Sequence, residues 1–310
     1  MKQTVVVIVG PTSVGKTKLS IEIAKKMNGE IISGDSMQVY KGMDIGTAKV
    51  SPEEMQYIPH YMIDLKQPDE AFSVADFQFY VQQYIDDITS RNKLPILVGG
   101  SGLYIQATLY NYDFSNQKRD DKITKRLEAE IEQDGIKPLY DRLMAVDPIQ
   151  AAKIHPNNHR RVIRALEVYE LTGSTMSERQ EDQKLESPYN IRYIGLEMER
   201  SLLYERINER VDEMIVNGLV AEVRELYELG YETCQSMKAI GYKEFIPYFQ
   251  GKQTLDESIE LLKRNSRRYA KRQYTWFKNK LDIKWYQIET QTIDESFRII
   301  LEDLEGICKD

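Results

Sequence analysis

Residues 10–17 read GPTSVGKT, a full match to the pattern G-x-x-x-x-G-K-[S/T]. The chemistry of that spacing is anion binding. Gly10 and Gly15 let the backbone curl so that N–H groups turn inward, and a helix N-terminus behind the loop adds its own partial positive charge. Lys16 supplies a point charge for terminal phosphates, and Thr17 can offer a hydroxyl to a magnesium ion. Pro11, Thr12, Ser13 and Val14 complete the cradle. The loop therefore holds a di- or triphosphate, but it names neither the molecule that carries it nor the bond that breaks. Two further groups could act beside it. Asp35 opens the stretch DSMQVYKGMDIGTAK (35–49), and three jobs are open to it: magnesium ligand, proton acceptor from an attacking nucleophile, or cap of a turn after a strand. Ser101, in GGSGLY (99–104), offers a hydroxyl.

Strands must deliver these groups. Thr4 and the apolar run Val5–Val9 read as a buried strand feeding the glycine loop. Behind the loop, Leu19, Ile23 and Ala24 are spaced for one helix face. EIISG (30–34) is a second strand that ends at Asp35, and PILVG (95–99) is a third that ends in the second glycine turn. Residues 72–93 form an aromatic-rich helix with Ser73 as its cap. Strands alternating with helices predict an α/β fold, a parallel sheet core covered by helices like that of the P-loop nucleoside triphosphatases (P-loop NTPase-like). In such sheets ligands bind outside the carboxyl ends of the strands, where all three groups lie. From 116 to 186 there is no strand signal, and the segment is polar and helical. IRYIGLEM (191–198) then resumes the sheet, helices run to about 277, and KWYQIE (284–289) is a last strand before a terminal helix. The expected organisation is a core of 1–115 and 188–310 with a mainly helical insertion domain at 116–187.

With 310 residues, 41% hydrophobic and 29% charged, the composition is that of a globular chain with ample core. The first apolar run ends in the glycine loop, unlike a signal peptide, and no apolar run approaches the roughly 18 residues of a membrane span. A cytoplasmic monomer with no membrane partner is expected. Cys234 and Cys308 support neither a disulfide framework nor a zinc site, and His60, His155 and His159 have no acid or cysteine at a zinc spacing. The net charge of −7 argues mildly against a nucleic-acid partner. Local density argues the other way. Residues 263–280 hold eight Lys or Arg and no acid, with Arg264, Arg268 and Arg272 on one helical face. A one-sided basic face of this kind is tolerated when a polyanion neutralises it, although a plain solvated surface is the alternative. Arg160, Arg161 and Arg164 make a basic start to another helix, suited to RNA phosphates or to pairing with Glu167 or Glu170.

One absence narrows the reaction. A nucleoside triphosphatase has an aspartate at the end of an apolar strand to hold the magnesium shell, whereas the best strand for that role, PILVGG, ends in glycine. A hydrolase or motor loses ground, and a transferase remains, since it need only neutralise leaving phosphates and place a nucleophile.

At this point the residues resemble a known family. GPTSVGKT (10–17), DSMQVYKGMDIGTAK (35–49), FSVADF (72–77), PILVGGSGLY (95–104), HPNNHRRVIRALEVYELTG (155–173), GLVAEVREL (218–226), MKAIGYKE (237–244) and AKRQYTWF (270–277) are similar, in order and across nearly the whole chain, to bacterial tRNA dimethylallyltransferases. The pair DSMQVY and GMDIGTAK is far more specific than the phosphate loop, which alone would read as ATP-binding. The resemblance implies transfer of the dimethylallyl group from dimethylallyl diphosphate to N6 of adenosine 37 in tRNA, with diphosphate leaving and no ATP consumed. It implies that loop residues 10–17 hold the donor diphosphate with Mg²⁺ on Thr17, that Arg224 contacts the diphosphate, and that Asp35 is the general base. Ser101 stands where the family usually has threonine, which keeps the hydroxyl and loses the methyl, and Val50 replaces the usual proline after GTAK. The insertion domain would pack around the anticodon stem-loop. Asp35, Ser36, Met37, Gln38 and Ser101 would meet the tRNA at the target base, and Arg160, Arg161, Arg164, Lys271 and Arg272 would meet its backbone. Gln38 is suited to base-edge bonding, and Tyr40 and Tyr104 are either stackers for the extruded base or structural. A small-molecule kinase, a prenyltransferase acting on free adenine nucleotides and a non-enzymatic RNA-binding module are the rival functions.

Overall fold

The run Val5–Val9 becomes an interior strand of a six-stranded sheet in a computed structural model that describes residues 2–112, 120–181 and 186–307. The strands are β1 (Thr4–Val9), β2 (Gly29–Ser33), β3 (His60–Tyr61), β4 (Leu94–Gly99), β5 (Asn190–Glu197) and β6 (Lys284–Gln287). Their order is β3-β2-β4-β1-β5-β6, and every pairing is parallel. Parallel neighbours need crossovers, which put helices on both faces. The effect is visible on β1. Val5, Val7 and Val9 enter one core with Phe77 and Val81, while Val6 and Ile8 enter the other with Leu19 and Ile23. All five strand residues are fully buried, so the run is continuously apolar instead of alternating.

The helices up to the insertion are α1 (Lys16–Lys26), α2 (Pro52–Met55), α3 (Val74–Ser90) and α4 (Gly102–Leu109). Ser73 and Asp76 form a capping box at the start of α3, which fixes where that helix begins. The insertion holds α5 (Asp121–Asp134), α6 (Lys137–Val146), α7 (Pro148–Lys153), α8 (His159–Thr172) and α9 (Met176–Glu181). The later helices are α10 (Arg200–Val216), α11 (Leu219–Glu228), α12 (Ile246–Phe249), α13 (Leu255–Lys280) and α14 (Ile293–Ile307). Another capping box, Thr254 with Glu257, starts the long α13. Its inward stripe is Leu262, Ala270, Gln273 and Phe277, while Arg264, Arg268, Lys271 and Arg272 are left on the outside.

The chain divides into two compact units, 1–110 with 187–310, and 111–186. The second unit contains only helices among its described residues. Its core gathers Leu127, Leu139, Leu143, Val162 and Leu166. Two buried carboxylates tie it together. Asp147 accepts from the Gln150 N–H and from the backbone and hydroxyl of Ser177. Glu167 accepts from the Asp120 N–H and from Arg164 at 2.8 Å. Of the pairings open to the Arg160–Arg164 cluster, the one that forms is therefore Arg164 with Glu167, while Arg160 and Arg161 stay exposed.

Candidate active site

The sheet order sets β2, β4 and β1 side by side, so the turns that follow them meet at one edge. The turn after β1 is the phosphate loop. Gly10 has φ +151°, and a Cβ there would lie 2.5 Å from the Leu196 carbonyl oxygen, so only glycine fits. Helix α1 starts at Gly15 with no side chain capping it, which leaves its first N–H groups for an anion. Lys16 folds back over the loop and donates to the carbonyls of Gly10 (3.0 Å) and Pro11 (2.7 Å). Burial chiefly, then the neighbouring Arg210, push its ammonium down to about 7, with Asp35 pulling the other way. The Ser13 hydroxyl is buried with no partner, and Thr17 is exposed.

The turns after β2 and β4 are locked together. The Gly34 N–H donates to the Val98 carbonyl at 2.7 Å, and the Ser101 N–H to the Gly34 carbonyl at 3.3 Å. The Ser101 hydroxyl accepts from the Ser36 N–H at 3.2 Å and lies 3.3 Å from the Ser36 hydroxyl. Asp35 stands between this pair and the phosphate loop. One carboxylate oxygen accepts from the Met37 N–H at 2.8 Å. Burial raises its pKa above the ordinary carboxylate range, against the pull of that N–H bond and of the Lys16 and Arg210 charges. A partly buried carboxylate of raised pKa near two cations is the arrangement expected of a group that takes up a proton during a reaction.

A cleft of about 290 Å³ opens where the turns after β1 and β2 meet. Thr12, Ser13, Asp35 and Ser36 line it from the sheet edge, and Arg210, Tyr269 and Arg272 line it from helices α10 and α13. Arg210 donates to the Thr12 hydroxyl at 3.3 Å, and burial lowers its pKa. Gln273 bridges two of the turns: it accepts from the Thr12 N–H at 3.0 Å and donates to the Gly100 carbonyl at 3.2 Å. Tyr269 stands beside Ser101 and Gln273, and burial raises its phenol above the usual range.

Sequence reasoning missed Arg210, Tyr269 and Gln273. Arg210 had a usable signal, since it sits on the inward stripe of α10 with Ile207, Val211 and Met214. A charged residue on an apolar face calls for a partner. Arg224 does not join the group. Its guanidinium lies 5.4 Å over the Phe249 ring, and it does not line the cleft. Gln38 lies beside the site with its amide engaged: it donates to the Thr47 and Ala48 carbonyls and accepts from the Ser33 hydroxyl. Met37 lines the cleft and is partly buried. Tyr40 is fully buried in the core and cannot stack on a base, and Tyr104 packs edge-on against Phe77. On α13, Arg264, Arg268, Lys271 and Arg272 are exposed and form no ion pair among the described residues.

A family model described as IPP transferase matches residues 38–280. The tRNA dimethylallyltransferase of Oceanobacillus iheyensis is 62% identical over 310 residues, covering 100% of this chain and 99% of that protein. The crystal structure of full-length tRNA isopentenylpyrophosphate transferase from Bacillus halodurans is 49% identical, covers 100% of both chains and superposes with a TM-score of 0.73. A solved eukaryotic dimethylallyltransferase acting on tRNA is 36% identical, covers 92% of this chain and 74% of its own, and gives a TM-score of 0.79.

Proposed function

The chain belongs to the IPP transferase family, the tRNA dimethylallyltransferases, and on that premise we propose that it moves a dimethylallyl group from dimethylallyl diphosphate to N6 of adenosine 37 in tRNA. The observation that carries the proposal is the shared cleft. It brings the phosphate loop and Asp35 together at one sheet edge under the basic helix α13, with Ser101 bonded to the Ser36 that lines it.

The amine of adenine is a weak nucleophile because its lone pair is delocalised into the ring. Neutralising the leaving oxygens helps the C1–O bond of the donor to break. Lys16, the free N–H groups of α1 and Arg210 are suited to this, and we assign the second cation to Arg210 in place of Arg224. As N6 bonds to C1, its proton passes to Asp35, whose raised pKa matches it to that task. Ser101, held against Ser36, would orient the reacting groups, and its neighbour Tyr269 would shield the site from water. When bound, Mg²⁺ adds charge neutralisation to the diphosphate. It would rest on the Thr17 hydroxyl and phosphate oxygens, because no group of three or more His, Cys, Asp or Glu stands together among the described residues. The exposed arginines and lysine of α13, with Arg160 and Arg161 of the helical unit, would meet RNA phosphates. Among the described residues, no helix is long and apolar enough to cross a membrane.

Single-turnover transfer to an anticodon stem-loop tests the assignment. Asp35→Ala should cut the rate by roughly 10²-fold or more while RNA affinity stays within a few-fold. A normal rate on bound RNA, with binding lost instead, contradicts the role of Asp35 as base.

A further inference from the structure

Glu222 takes no part in the chemistry above, yet its carboxylate, on α11, is fully engaged beside the cleft. One oxygen accepts from the N–H groups of Asp44 (3.0 Å) and Ile45 (2.8 Å). The other accepts from the Gly46 N–H (3.0 Å) and the Tyr242 hydroxyl (2.6 Å). Three successive backbone N–H groups converge on a single anion, a nest filled by the protein's own side chain. The loop has no room to slide. A Cβ on Gly46 would fall 2.5 Å from the ring of Tyr242, which is itself fully buried. Just beyond these N–H groups, Gly46, Thr47 and Ala48 form part of the cleft wall.

The hydrogen bonds continue from that wall to the base. The Gln38 amide donates to the carbonyls of Thr47 (3.2 Å) and Ala48 (3.3 Å). Its oxygen accepts from the Ser33 hydroxyl at 2.7 Å, and the Ser33 oxygen accepts from the Asp35 N–H at 3.3 Å. We infer that Glu222 is a positioning residue for the transfer. Through loop 44–48, Gln38 and Ser33, it fixes the backbone from which Asp35 projects. The inference rests on Asp35 being the base. It also gives Gln38 a structural task, that of the central link.

Glu222→Gln tests it. The amide keeps the shape of the side chain but puts an NH₂ where an acceptor is required, so it opposes an N–H or O–H donor and the nest must open. Single-turnover rates at saturating donor and RNA are compared for wild type, Glu222→Gln, Asp35→Ala and the double variant. A displacement on the order of 1 Å should slow Glu222→Gln roughly 10- to 100-fold. The KM for the donor should stay within about twofold, because the phosphate loop is untouched. In the Asp35→Ala background the second change should cost less than about twofold, since its effect runs through Asp35. Losses that multiply would overturn the inference. A wild-type rate for Asp35→Ala would instead remove the base assignment, so the two failures are distinguishable. If thermal melting shows Glu222→Gln unfolded at the assay temperature, Tyr242→Phe removes only one donor to the same carboxylate. It should give a smaller loss that again vanishes in the Asp35→Ala background, and a wild-type rate for Tyr242→Phe overturns the inference.

Discussion

Gly99→Ala is the smallest change that should separate the two halves of the site. A Cβ at Gly99 would lie 2.3 Å from the carbonyl carbon and oxygen of Gly34 and 2.5 Å from its Cα. Ordinary contact begins at 3.4 Å, so the turns must part by 3.4 − 2.3, or about 1.1 Å. No rotamer can relieve this, because both partners are backbone on neighbouring buried strands, β4 and the end of β2. Gly34 immediately precedes Asp35, and Gly99 lies two residues before Ser101. The Ser36 to Ser101 hydrogen bond, now 3.2 Å, would stretch beyond bonding range. A 1 Å misplacement costs up to about 10²-fold in rate, and overpacking costs about 1–3 kcal/mol in stability. The assay is single-turnover transfer with saturating donor and stem-loop, alongside a thermal melt. Gly306→Ala is the control, since its Cβ would meet nothing within 4 Å, and it should keep the wild-type rate. A folded Gly99→Ala enzyme with wild-type turnover would show that close contact between the Asp35 and Ser101 turns is unnecessary.

Lys16, held at about 7, is largely neutral above that pH in the free protein, and a bound diphosphate favours its charged form. Diphosphate binding at pH 8 should therefore take up protons, and affinity should fall as pH rises above about 7. Calorimetry in buffers of different ionisation heat reads the uptake, and its absence contradicts the shift. By the same linkage the empty protein should gain stability as pH rises from about 7 toward 10.5, because the unfolded chain binds the extra proton over that window. Arg210→Met removes a charge beside the phosphate loop and should weaken inhibition by pyrophosphate about 10- to 100-fold, the equivalent of a charged hydrogen bond of ~1.5–3 kcal/mol. Arg224→Met should change it less than about threefold. Buried Glu30 is held to about 2, first by Arg91 and with help from Lys93 and Tyr61. Its contribution to stability should be complete above pH 4.5 and disappear as pH falls toward 2. Glu30→Gln should lower stability by about 2 kcal/mol in urea unfolding at pH 7, and leave transfer unchanged.

Much of the fold was legible because its signals are local. The continuous run Val5–Val9, the glycine loop and Ser73 each announce a strand, a turn and a cap within a few residues. β3 was not legible, since two residues paired to Ile31 and Ile32 carry no periodicity. The phosphate loop and Asp35 stood out in the sequence for the same local reason. Gln273, about 260 residues from the loop it touches, could not, because only the packing of α13 brings it to Thr12. Tyr40 shows a different limit: its sequence position left it open as stacker or structural, and only the packing makes it core. The loop sequence GPTSVGKT also could not tell a nucleotide from a prenyl diphosphate, because both present the same terminal anion.

The most direct test is mass spectrometry of an unmodified anticodon stem-loop incubated with the protein, dimethylallyl diphosphate and Mg²⁺, with and without ATP. The expected result is a gain of one dimethylallyl group on adenosine 37, equal in both arms, with no ATP turnover. ATP hydrolysis without any change in RNA mass would contradict the proposed function at its centre.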